Sequence, residues 1–372
     1  MWENSTIEVN IKRNLFKKIG VSLSLILLFS FQVAAQQTIS QDSVFTDKTQ
    51  FQNTLIHGVK EGRWLEYIDI NGNITGNPDA PYYSLTIYKN GSPHGTVHTY
   101  FKSGKLQGEI PYMNGKINGI YKGYYESGKP YVEIPYSNGK ENGTAKIYYE
   151  SGALLKEATC IDQKINGPVK IYYESGALKE QDNYENDKIT GTAKTYYENG
   201  NTISEAPFRD GKRNGLYKWY YESGKLQGEV NYTDSLENGI AKEYYETGEL
   251  QKEVSCTMGE KNGIAKEYFK NGKVRGKCPY VHDMKNGMDS IFDENGKLSG
   301  LIPYIHDKIN GVEKLFYESG ALNSEIPYTD DKKNGMEKEY YENGTLMSAT
   351  PYKNGLPNGD EISYGEKGNV VK

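Results

Sequence analysis

From Gly95 onwards, apolar and polar residues alternate along the chain in short runs separated by glycine-centred turns. The segment 144–159, for example, reads TAKIYYE, then SG, then ALLKEAT. Alternation with a period of two is typical of strands with one buried face. Ser-Gly or Asn-Gly between two such runs is a strong signal for a hairpin. The pattern therefore predicts β-hairpins.

The hairpin pattern recurs every 24 residues without an insertion. Each repeat opens with a glycine, a second glycine follows nine residues later, and an aromatic residue lies five residues after the opening glycine. The opening glycines are Gly95, Gly119, Gly143, Gly167, Gly191, Gly215, Gly239, Gly263, Gly287, Gly311, Gly335 and Gly359. Such a period indicates a repeat architecture and not the two or three conventional domains that the length alone would suggest.

A two-residue turn fixes which residues of a hairpin face each other. A turn at Ser151-Gly152 places Lys146 opposite Glu157 and Tyr149 opposite Leu154. The same Lys–Glu pairing recurs in other repeats: Lys122 with Glu133, Lys194 with Glu205, Lys218 with Glu229, Lys242 with Glu253 and Lys314 with Glu325. Opposite charges therefore stand where the predicted register pairs them.

This register also predicts two different faces of the sheet. The first, called the apolar face here, carries Ala145, Ile147, Tyr149, Leu154, Lys156, Ala158 and Cys160. The second, called the charged face, carries Thr144, Lys146, Tyr148, Glu150, Leu155 and Glu157.

The fold predicted from these observations is all-β: an elongated single-layer antiparallel β-hairpin array with a 24-residue period. The alternative is a parallel β-solenoid with one repeat per coil. A proline near the end of the second strand predicts that this strand bends, bulges or stops there, because proline cannot donate to the ladder. This proline occurs in seven repeats, as Pro111, Pro135, Pro207, Pro279, Pro303, Pro327 and Pro351.

Residues 1–35 have the pattern of a signal peptide. A basic region containing Lys12 and Arg13 precedes the apolar run Ile19–Val33, and small residues follow at 33–35. The domain prediction is residues 1–35 as signal peptide, 36–61 as polar lead-in, 62–94 as a degenerate first repeat with an insertion, and 95–372 as twelve hairpin repeats. Export to the periplasm, the cell surface or the medium is expected.

Charge and cysteine content narrow the function classes. Loss of residues 1–35 removes four basic and two acidic groups, which changes the net charge from -5 to about -7. A chain with this net negative charge lacks the excess of basic residues that binds the phosphates of nucleic acid. The chain has three cysteines, Cys160, Cys256 and Cys278. A small, odd number of cysteines does not indicate a disulfide framework. They are interpreted as small apolar fillers on the apolar face.

Two sets of ionisable residues are candidates for chemistry. His282 and His306 lie one repeat apart, each followed by Asp, but other repeats hold Asn or Asp at this position. Because those residues tolerate left-handed backbone, a turn role is favoured over a metal site. A glutamate beside the first turn recurs from Glu126 to Glu366. Identical, solvated acids do not form the asymmetric set that catalysis needs. No catalytic residue, metal or cofactor is predicted, and the chain is not expected to be an enzyme.

Two tyrosine columns are the candidate binding residues. They are Tyr124, Tyr148, Tyr172, Tyr196, Tyr220 and Tyr244 on the charged face, and Tyr125, Tyr149, Tyr173, Tyr197, Tyr221 and Tyr245 on the apolar face. The columns can stabilise the thin sheet by contact between repeats, or they can form a ligand platform, and the two roles are compatible. The exposed apolar face is expected to fold over, to pair with another copy or to meet a partner.

The phrase YYESGKLQGEVNY at Tyr220–Tyr232, followed by an Asn-Gly-bearing turn, resembles the MORN-repeat variant. The resemblance extends over Gly62–Gly368. It implies an array of β-hairpin repeats that contacts proteins or a lipid surface. This repeat is common in bacterial proteins described as antitoxin components of toxin–antitoxin systems.

Together these observations predict an exported, non-catalytic repeat protein that provides an extended protein-binding or scaffolding surface. One alternative is an antitoxin that neutralises a partner toxin by direct binding. Another is a binder or enzyme of cell-envelope glycans. A protein partner is expected. Self-association through the apolar face and contact with a membrane surface or glycan are the further alternatives.

Overall fold

The computed structural model describes residues 45–371, so the predicted signal peptide, residues 1–35, lies outside the described part of the chain. The described residues divide into two units, 45–188 and 189–371. In the described residues the only helical element is a short 3-10 helix, Lys48–Gln50.

The first unit consists of short strands. They are β1 (Thr54–Ile56), β2 (Val59–Ile68), β3 (Ile74–Thr75), β4 (Tyr82–Lys89), β5 (Ser92–Pro93), β6 (Gly95–Phe101), β7 (Leu106–Met113), β8 (Lys116–Ile117), β9 (Gly119–Tyr124), β10 (Pro130–Ser137), β11 (Lys140–Glu141), β12 (Gly143–Tyr148), β13 (Leu154–Ile161), β14 (Lys164–Tyr172) and β15 (Leu178–Glu185).

The strands from the unit boundary onwards repeat the same pattern. They are β16 (Lys188–Tyr196), β17 (Thr202–Arg209), β18 (Lys212–Arg213), β19 (Gly215–Tyr220), β20 (Leu226–Thr233), β21 (Leu236–Glu237), β22 (Gly239–Tyr244), β23 (Leu250–Thr257), β24 (Glu260–Lys261), β25 (Gly263–Tyr268), β26 (Val274–Val281), β27 (Met284–Lys285), β28 (Gly287–Phe292), β29 (Leu298–Ile305), β30 (Lys308–Ile309), β31 (Gly311–Phe316), β32 (Leu322–Thr329), β33 (Lys332–Lys333), β34 (Gly335–Tyr340), β35 (Leu346–Lys353), β36 (Leu356–Pro357) and β37 (Ile362–Ser363).

Within each unit, strands that follow each other along the chain pair with each other. In the first unit β7 pairs with β9, β9 with β10, and β10 with β12, all antiparallel. In the second unit β25 pairs with β26 and β26 with β28 in the same way. The predicted antiparallel hairpin array is confirmed. The alternative parallel β-solenoid is wrong, because its coils would pair parallel strands.

The second turn of each repeat is a two-residue turn in which both residues have positive φ. Between β10 and β11, Asn138 has φ 51° and Gly139 has φ 81°, and the flanking residues Ser137 and Lys140 pair directly. This is the type I′ geometry that Asn-Gly favours, because its twist matches that of the strands. The hairpin signal in the sequence therefore belongs to this turn.

The first turn differs from the prediction. The Gly152 N–H donates to the Tyr149 carbonyl at 2.9 Å, and the Tyr149 N–H donates to the Ala153 carbonyl at 2.8 Å. Only Gly152 of the loop residues has positive φ, at 98°. These bonds define a three-residue loop that ends in a glycine bulge, and not a two-residue turn.

The extra loop residue changes the register at the strand ends only. Lys146 pairs with Glu157, as predicted, but Leu154 pairs with Tyr148 and not with Tyr149. Directly paired side chains share a face, so Leu154 lies on the charged face. Leu155, which was assigned to the charged face, packs instead against the apolar cluster around Ile147. A second irregularity lies at Leu155, between Lys156, which pairs with Ile147, and Leu154, which pairs with Tyr148. It restores the predicted register further along the strands and exchanges the two leucines between faces.

The opening glycine and the proline that recur in these repeats are in contact with each other in the structure. Pro135 lies inside β10 and pairs with Ile120 on one side. On the other side the neighbouring strand is interrupted, and the Asn142 N–H donates to the Pro135 carbonyl at 2.9 Å. Gly143 follows with φ 122°, and a Cβ there would lie 2.8 Å from Pro135 Cγ. The irregularity predicted for the proline strand therefore lies in its neighbour, where only glycine fits.

Buried side chains form small clusters along the sheet. On the apolar face of the first unit the cluster is Ile117, Val132, Ile134, Tyr136 and Ile147. In the second unit Val254, Cys256 and Ala265 form a smaller one. Each cluster is confined to a few neighbouring repeats, as expected for a repeat array.

A third cluster lies at the start of the array, on the charged face. Phe45, only 1% exposed, packs there with Tyr83, Leu85, Ile87 and Tyr100. Phe45 lies in the described part, residues 45–61, of the predicted lead-in 36–61. That part contains β1 and supplies Phe45 as a core residue.

Candidate functional site

The charged face carries a row of hydrogen bonds that joins neighbouring repeats, called the Tyr–Glu ladder here. In each case a tyrosine at the end of a first strand donates its hydroxyl to a glutamate of the preceding repeat. The pairs are Tyr124–Glu109 at 2.8 Å, Tyr148–Glu133 at 3.1 Å, Tyr172–Glu157 at 2.9 Å, Tyr220–Glu205 at 3.1 Å, Tyr244–Glu229 at 3.1 Å, Tyr268–Glu253 at 2.9 Å and Tyr340–Glu325 at 3.1 Å.

Lysines complete this ladder. The Nζ atoms of Lys194, Lys266 and Lys314 lie 2.7, 2.8 and 3.0 Å from the carboxylates of Glu205, Glu253 and Glu325. The lysine hydrogen bond is the main reason why the pKa of each of these three glutamates lies below its usual value. These acids are therefore held ionised as structural acceptors.

The second tyrosine column forms another set of bonds on the apolar face. Each hydroxyl donates to the backbone carbonyl of the ladder residue in the next repeat. The bonds are Tyr125 to Tyr148 at 2.7 Å, Tyr149 to Tyr172 at 2.9 Å, Tyr197 to Tyr220 at 3.0 Å, Tyr221 to Tyr244 at 2.7 Å and Tyr245 to Tyr268 at 2.8 Å.

Within each unit, the structure thus places the predicted binding tyrosines in two columns on opposite faces. Ten of them donate hydroxyls between neighbouring repeats, and Tyr173 and Tyr196 have interactions as well. The columns do not converge on one point. Their contacts give the tyrosines a role in joining repeats, and a further role as a ligand platform stays a prediction.

The histidines are turn residues, as predicted. His282 and His306 have φ 49° and 48° and are exposed. The neighbouring Asp283 and Asp307 each accept a backbone N–H from the preceding repeat, at 2.7 Å. Between residues 45 and 371, no group of three or more His, Cys, Asp or Glu side chains is placed to hold a metal ion.

The other candidate groups have structural surroundings. The glutamates beside the first turn, from Glu126 to Glu366, are exposed to solvent. Cys160 and Cys256 are buried, and all three cysteines are free. Burial raises the pKa of each thiol to about 11, so the thiolate form is scarce at neutral pH.

An exposed apolar stripe runs along the edge of the charged face in the second unit. In six consecutive repeats the residue after the opening glycine is apolar and at least 38% exposed. These residues are Leu216, Ile240, Ile264, Met288, Val312 and Met336. The alternation predicts this position on the charged face, but the stripe itself was not predicted. The apolar residue after each of these glycines was the signal.

In one region of the second unit the Tyr–Glu ladder loses both partners of two consecutive pairs. Lys277 and Leu301 occupy two consecutive glutamate positions, and Phe292 and Phe316 occupy the matching tyrosine positions. The acceptor and the donor are thus lost together, which leaves no hydroxyl or carboxylate without its partner. The Nζ atom of Lys277 lies instead 5.5 Å from the centre of the Phe292 ring.

This interruption creates a local apolar surface, called the Leu301 patch here. It consists of Met288, Phe292, Leu301, Pro303 and Phe316, which are all partly or fully exposed. It lies on the charged face between two lysines of the cross-strand row: Lys277 pairs with Ser290, Ser290 with Leu301, and Leu301 with Lys314.

These features define the class of the protein, a β-hairpin repeat protein whose distinctive residues are spread over surfaces and not gathered in a cleft. Within the described residues, no helix has the length and apolar character needed to cross a membrane.

The model of the MORN repeat variant family matches the chain ten times, and the chain belongs to that family. The matches are residues 93–114, 117–138, 141–159, 165–186, 189–210, 213–234, 237–255, 261–282, 309–330 and 333–354, which together cover more than half of the chain. Residues 283–308, which contain most of the Leu301 patch, lie between two matches. MORN-repeat proteins are generally non-catalytic binding scaffolds.

No curated protein matches the chain at a significant level. Solved structures that align with it include the crystal structure of TcdB2-TccC3-Cdc42, with 10% identity over 79% of this chain and a TM-score of 0.16. The Photorhabdus luminescens Tc holotoxin pore aligns with 14% identity over 71% of this chain and a TM-score of 0.15. The chain spans 20% and 18% of the length of these two chains.

Proposed function

We propose that the protein is exported and acts as a non-catalytic scaffold that binds a protein partner through the charged face of its repeats. The exposed apolar stripe is the observation that carries this proposal. Six apolar side chains on one edge, each 38 to 51% exposed, are costly to leave in water unless something covers them.

The chemistry of the face supports binding over catalysis. The glutamates of the Tyr–Glu ladder are engaged by tyrosine hydroxyls and lysine ammonium groups, and the same arrangement recurs in repeat after repeat. A general acid or base needs a group that differs from its neighbours in environment and pKa. A repeated surface instead supplies many similar contacts to one partner.

Export is supported by the sequence of residues 12–35, in which a basic region, an apolar run and small residues follow in order. The test of this part is N-terminal sequencing of the protein from cell fractions. A mature N-terminus near residue 36 in the periplasm, on the cell surface or in the medium is expected. An intact N-terminus in the cytoplasm would contradict export.

The binding function is tested by affinity capture with residues 36–372 as bait. A matched variant replaces Ile240, Ile264 and Val312 by threonine, which occupies the same repeat position as Thr144 and Thr192 and therefore suits the fold. We expect the wild-type bait to retain a specific protein and the threonine variant to retain much less. Equal capture by both baits would show that the stripe is not the binding surface.

The same experiment separates the remaining alternatives. A captured toxin whose activity is blocked by the bait would assign the antitoxin role. Retention of cell-wall polymer without any protein would assign glycan binding. Turnover of that polymer by the purified protein would contradict the non-catalytic proposal.

A further inference from the structure

The two places where Leu replaces Glu in the Tyr–Glu ladder are equivalent repeat positions. Leu85 and Leu301 lie nine repeat lengths apart, and so do Tyr100 and Phe316. Leu85 pairs with His98, just as Leu301 pairs with Lys314. The start of the array and the Leu301 patch therefore present a similar apolar surface on the charged face of their own units.

The surface at the start of the array is covered by the chain itself. Phe45 and Leu85 are each only 1% exposed, because the Phe45 ring packs against Leu85, Tyr83 and Tyr100. The backbone carbonyl of Thr46 accepts the Tyr100 hydroxyl at 3.4 Å. A short segment that supplies one aromatic anchor and then enters the 3-10 helix Lys48–Gln50 thus covers a leucine at a ladder position.

The Leu301 patch shares the leucine and the neighbouring aromatic ring, while Ser299 and Pro303 stand where the start of the array has Tyr83 and Ile87, and within residues 45–371 it remains partly exposed. Leu301, Phe292 and Phe316 remain partly exposed, and Met288 is 45% exposed. The aromatic side chains supply rigid contact area of the kind that anchors protein interfaces.

The charge beside the Leu301 patch indicates which kind of segment would bind there. Elsewhere the cross-strand row alternates, as in Lys242–Glu253–Lys266, but Lys277 is paired with Lys266 and Ser290 and so faces no carboxylate in the register. A lysine beside an apolar floor favours an aromatic segment that carries an acid. The segment that holds Phe45 has this composition, since Asp47 follows two residues after the anchor.

We propose that the Leu301 patch is a docking site for a short acidic segment of a partner protein that inserts one aromatic side chain against Leu301 and Phe316. The segment imitates the contact that Phe45 makes at the start of the array. This inference rests on the proposed binding function and names the chemistry of the partner. The chain's own Phe45 is not the occupant, because it is already buried in its own cluster.

The test uses residues 36–372 and a fluorescent peptide with the sequence of residues 41–49, QDSVFTDKT, as probe. The matched variant carries Leu301→Glu and Phe316→Tyr, which restores the Tyr–Glu ladder found in the other repeats and so preserves the fold. We expect saturable binding of the peptide to the wild type. The variant, and a peptide with Phe45→Ala, should each weaken binding about tenfold or more.

Absence of saturable binding to the wild type, or equal binding to the variant, would overturn the proposal. Sedimentation velocity of both proteins provides a further check. A wild-type dimer that the variant abolishes would assign the patch to a second copy and would also overturn a partner segment as occupant.

The outcome is distinguishable from failure of the proposed function. If affinity capture retains the same partner with wild type and with Leu301→Glu/Phe316→Tyr, the binding function stands and the docking site is wrong. If the wild type retains no partner, the function itself fails.

Discussion

The apolar faces of the two units are built from the same repeat positions but with different chemistry. In the first unit Ile117, Tyr121 and Tyr136 belong to one hydrophobic cluster. In the second unit the same positions hold Lys285, Asp289 and Tyr304 in one repeat. The Lys285 Nζ atom lies 3.4 Å from Asp289 and 4.6 Å from the centre of the Tyr304 ring.

A second repeat shows the same replacement. Lys333 lies 2.6 Å from Glu337 and 4.9 Å from the centre of the Tyr352 ring. Burial lowers the pKa of Lys333, but the hydrogen bond and charge of Glu337 outweigh it and raise the pKa overall. The lysine stem covers the ring while its charged end is paired.

This difference shows that the backbone geometry of the hairpins and the side-chain chemistry of the apolar face are determined by different residues. The hairpin geometry depends on the turns and the glycine and proline positions, which both units share. The apolar face then accepts any side chain that covers the neighbouring aromatic ring and leaves no charge unpaired. The first unit gains more from burial, because removal of a charge pair from water offsets much of its attraction.

The largest expected effect is truncation in the hydrophobic cluster. Ile134→Ala removes a buried side chain and leaves a cavity, so it should lower the local free energy of unfolding by about 2–4 kcal/mol. Hydrogen exchange of amides in the first unit measures this loss. Ile240→Ala, at a side chain that is 51% exposed, is the control and should change stability by less than about 0.5 kcal/mol. A similar loss in both variants would mean that the cluster is not a core.

The second prediction concerns variants that replace the ionic pair on the apolar face of the second unit by apolar residues of the kind found in the first unit. Lys333→Ile alone leaves the carboxylate of Glu337, whose side chain is 15% exposed, without its cation, and should cost about 1–2 kcal/mol. Adding Glu337→Ala, the residue found at the equivalent Ala145, should recover most of this loss. Local hydrogen exchange around β33 and β34 is the measurement. If the double variant is less stable than the single one, the ionic stack is worth more than a hydrophobic replacement.

The third prediction concerns acid. Because the pKa of Glu253 is lowered in the folded state, its contribution to stability is present above the unfolded value, near 4.3, and is lost as the pH falls through the folded pKa. Burial raises the pKa of Glu141 in the first unit, so protonation of that group favours the fold. Amides around Glu253 should therefore lose protection below about pH 4 before those around Glu141 do.

Glu253→Gln provides the control for this comparison. The variant removes the titrating group, so protection near residue 253 should depend less on pH than in the wild type. An unchanged pH profile would exclude Glu253 as its source.

The smallest effect is expected at the exposed charge row. Lys194→Glu places two acids opposite each other and should cost a few tenths of a kcal/mol, because this pair is partly solvated. The swapped variant, Lys194→Glu with Glu205→Lys, restores opposite charges in this pair, but it removes the acceptor of the Tyr220 hydroxyl and places a second cation opposite Lys218, so it should be less stable than Lys194→Glu alone. A swap as stable as the wild type would show that neither the Tyr220 bond nor the pairing with Lys218 contributes measurably.

Much of the fold could be predicted because its signals are local and repeated. The pairing of Lys146 with Glu157 follows from alternation and turn spacing alone. The exchange of Leu154 and Leu155 between faces could not be predicted, because it depends on whether the first loop has two residues or three. Ser-Gly is compatible with both.

For the candidate site, the sequence identified the tyrosine columns but not their partners. The hydroxyls of Tyr125 and Tyr149 donate to backbone carbonyls of the next repeat. Because every residue has a backbone carbonyl, the residue types in the sequence do not identify these acceptors. The joint loss of Glu and Tyr at Leu301 and Phe316 is visible in the sequence once the ladder is known.

The sequence by itself determined the period, the hairpins and the antiparallel order, since each of these depends on neighbours within a few residues along the chain. Only the tertiary structure decided where Phe45 lies and which leucines it leaves uncovered. That outcome depends on contacts between segments far apart in sequence, such as Phe45 and Leu85, which local patterns do not encode.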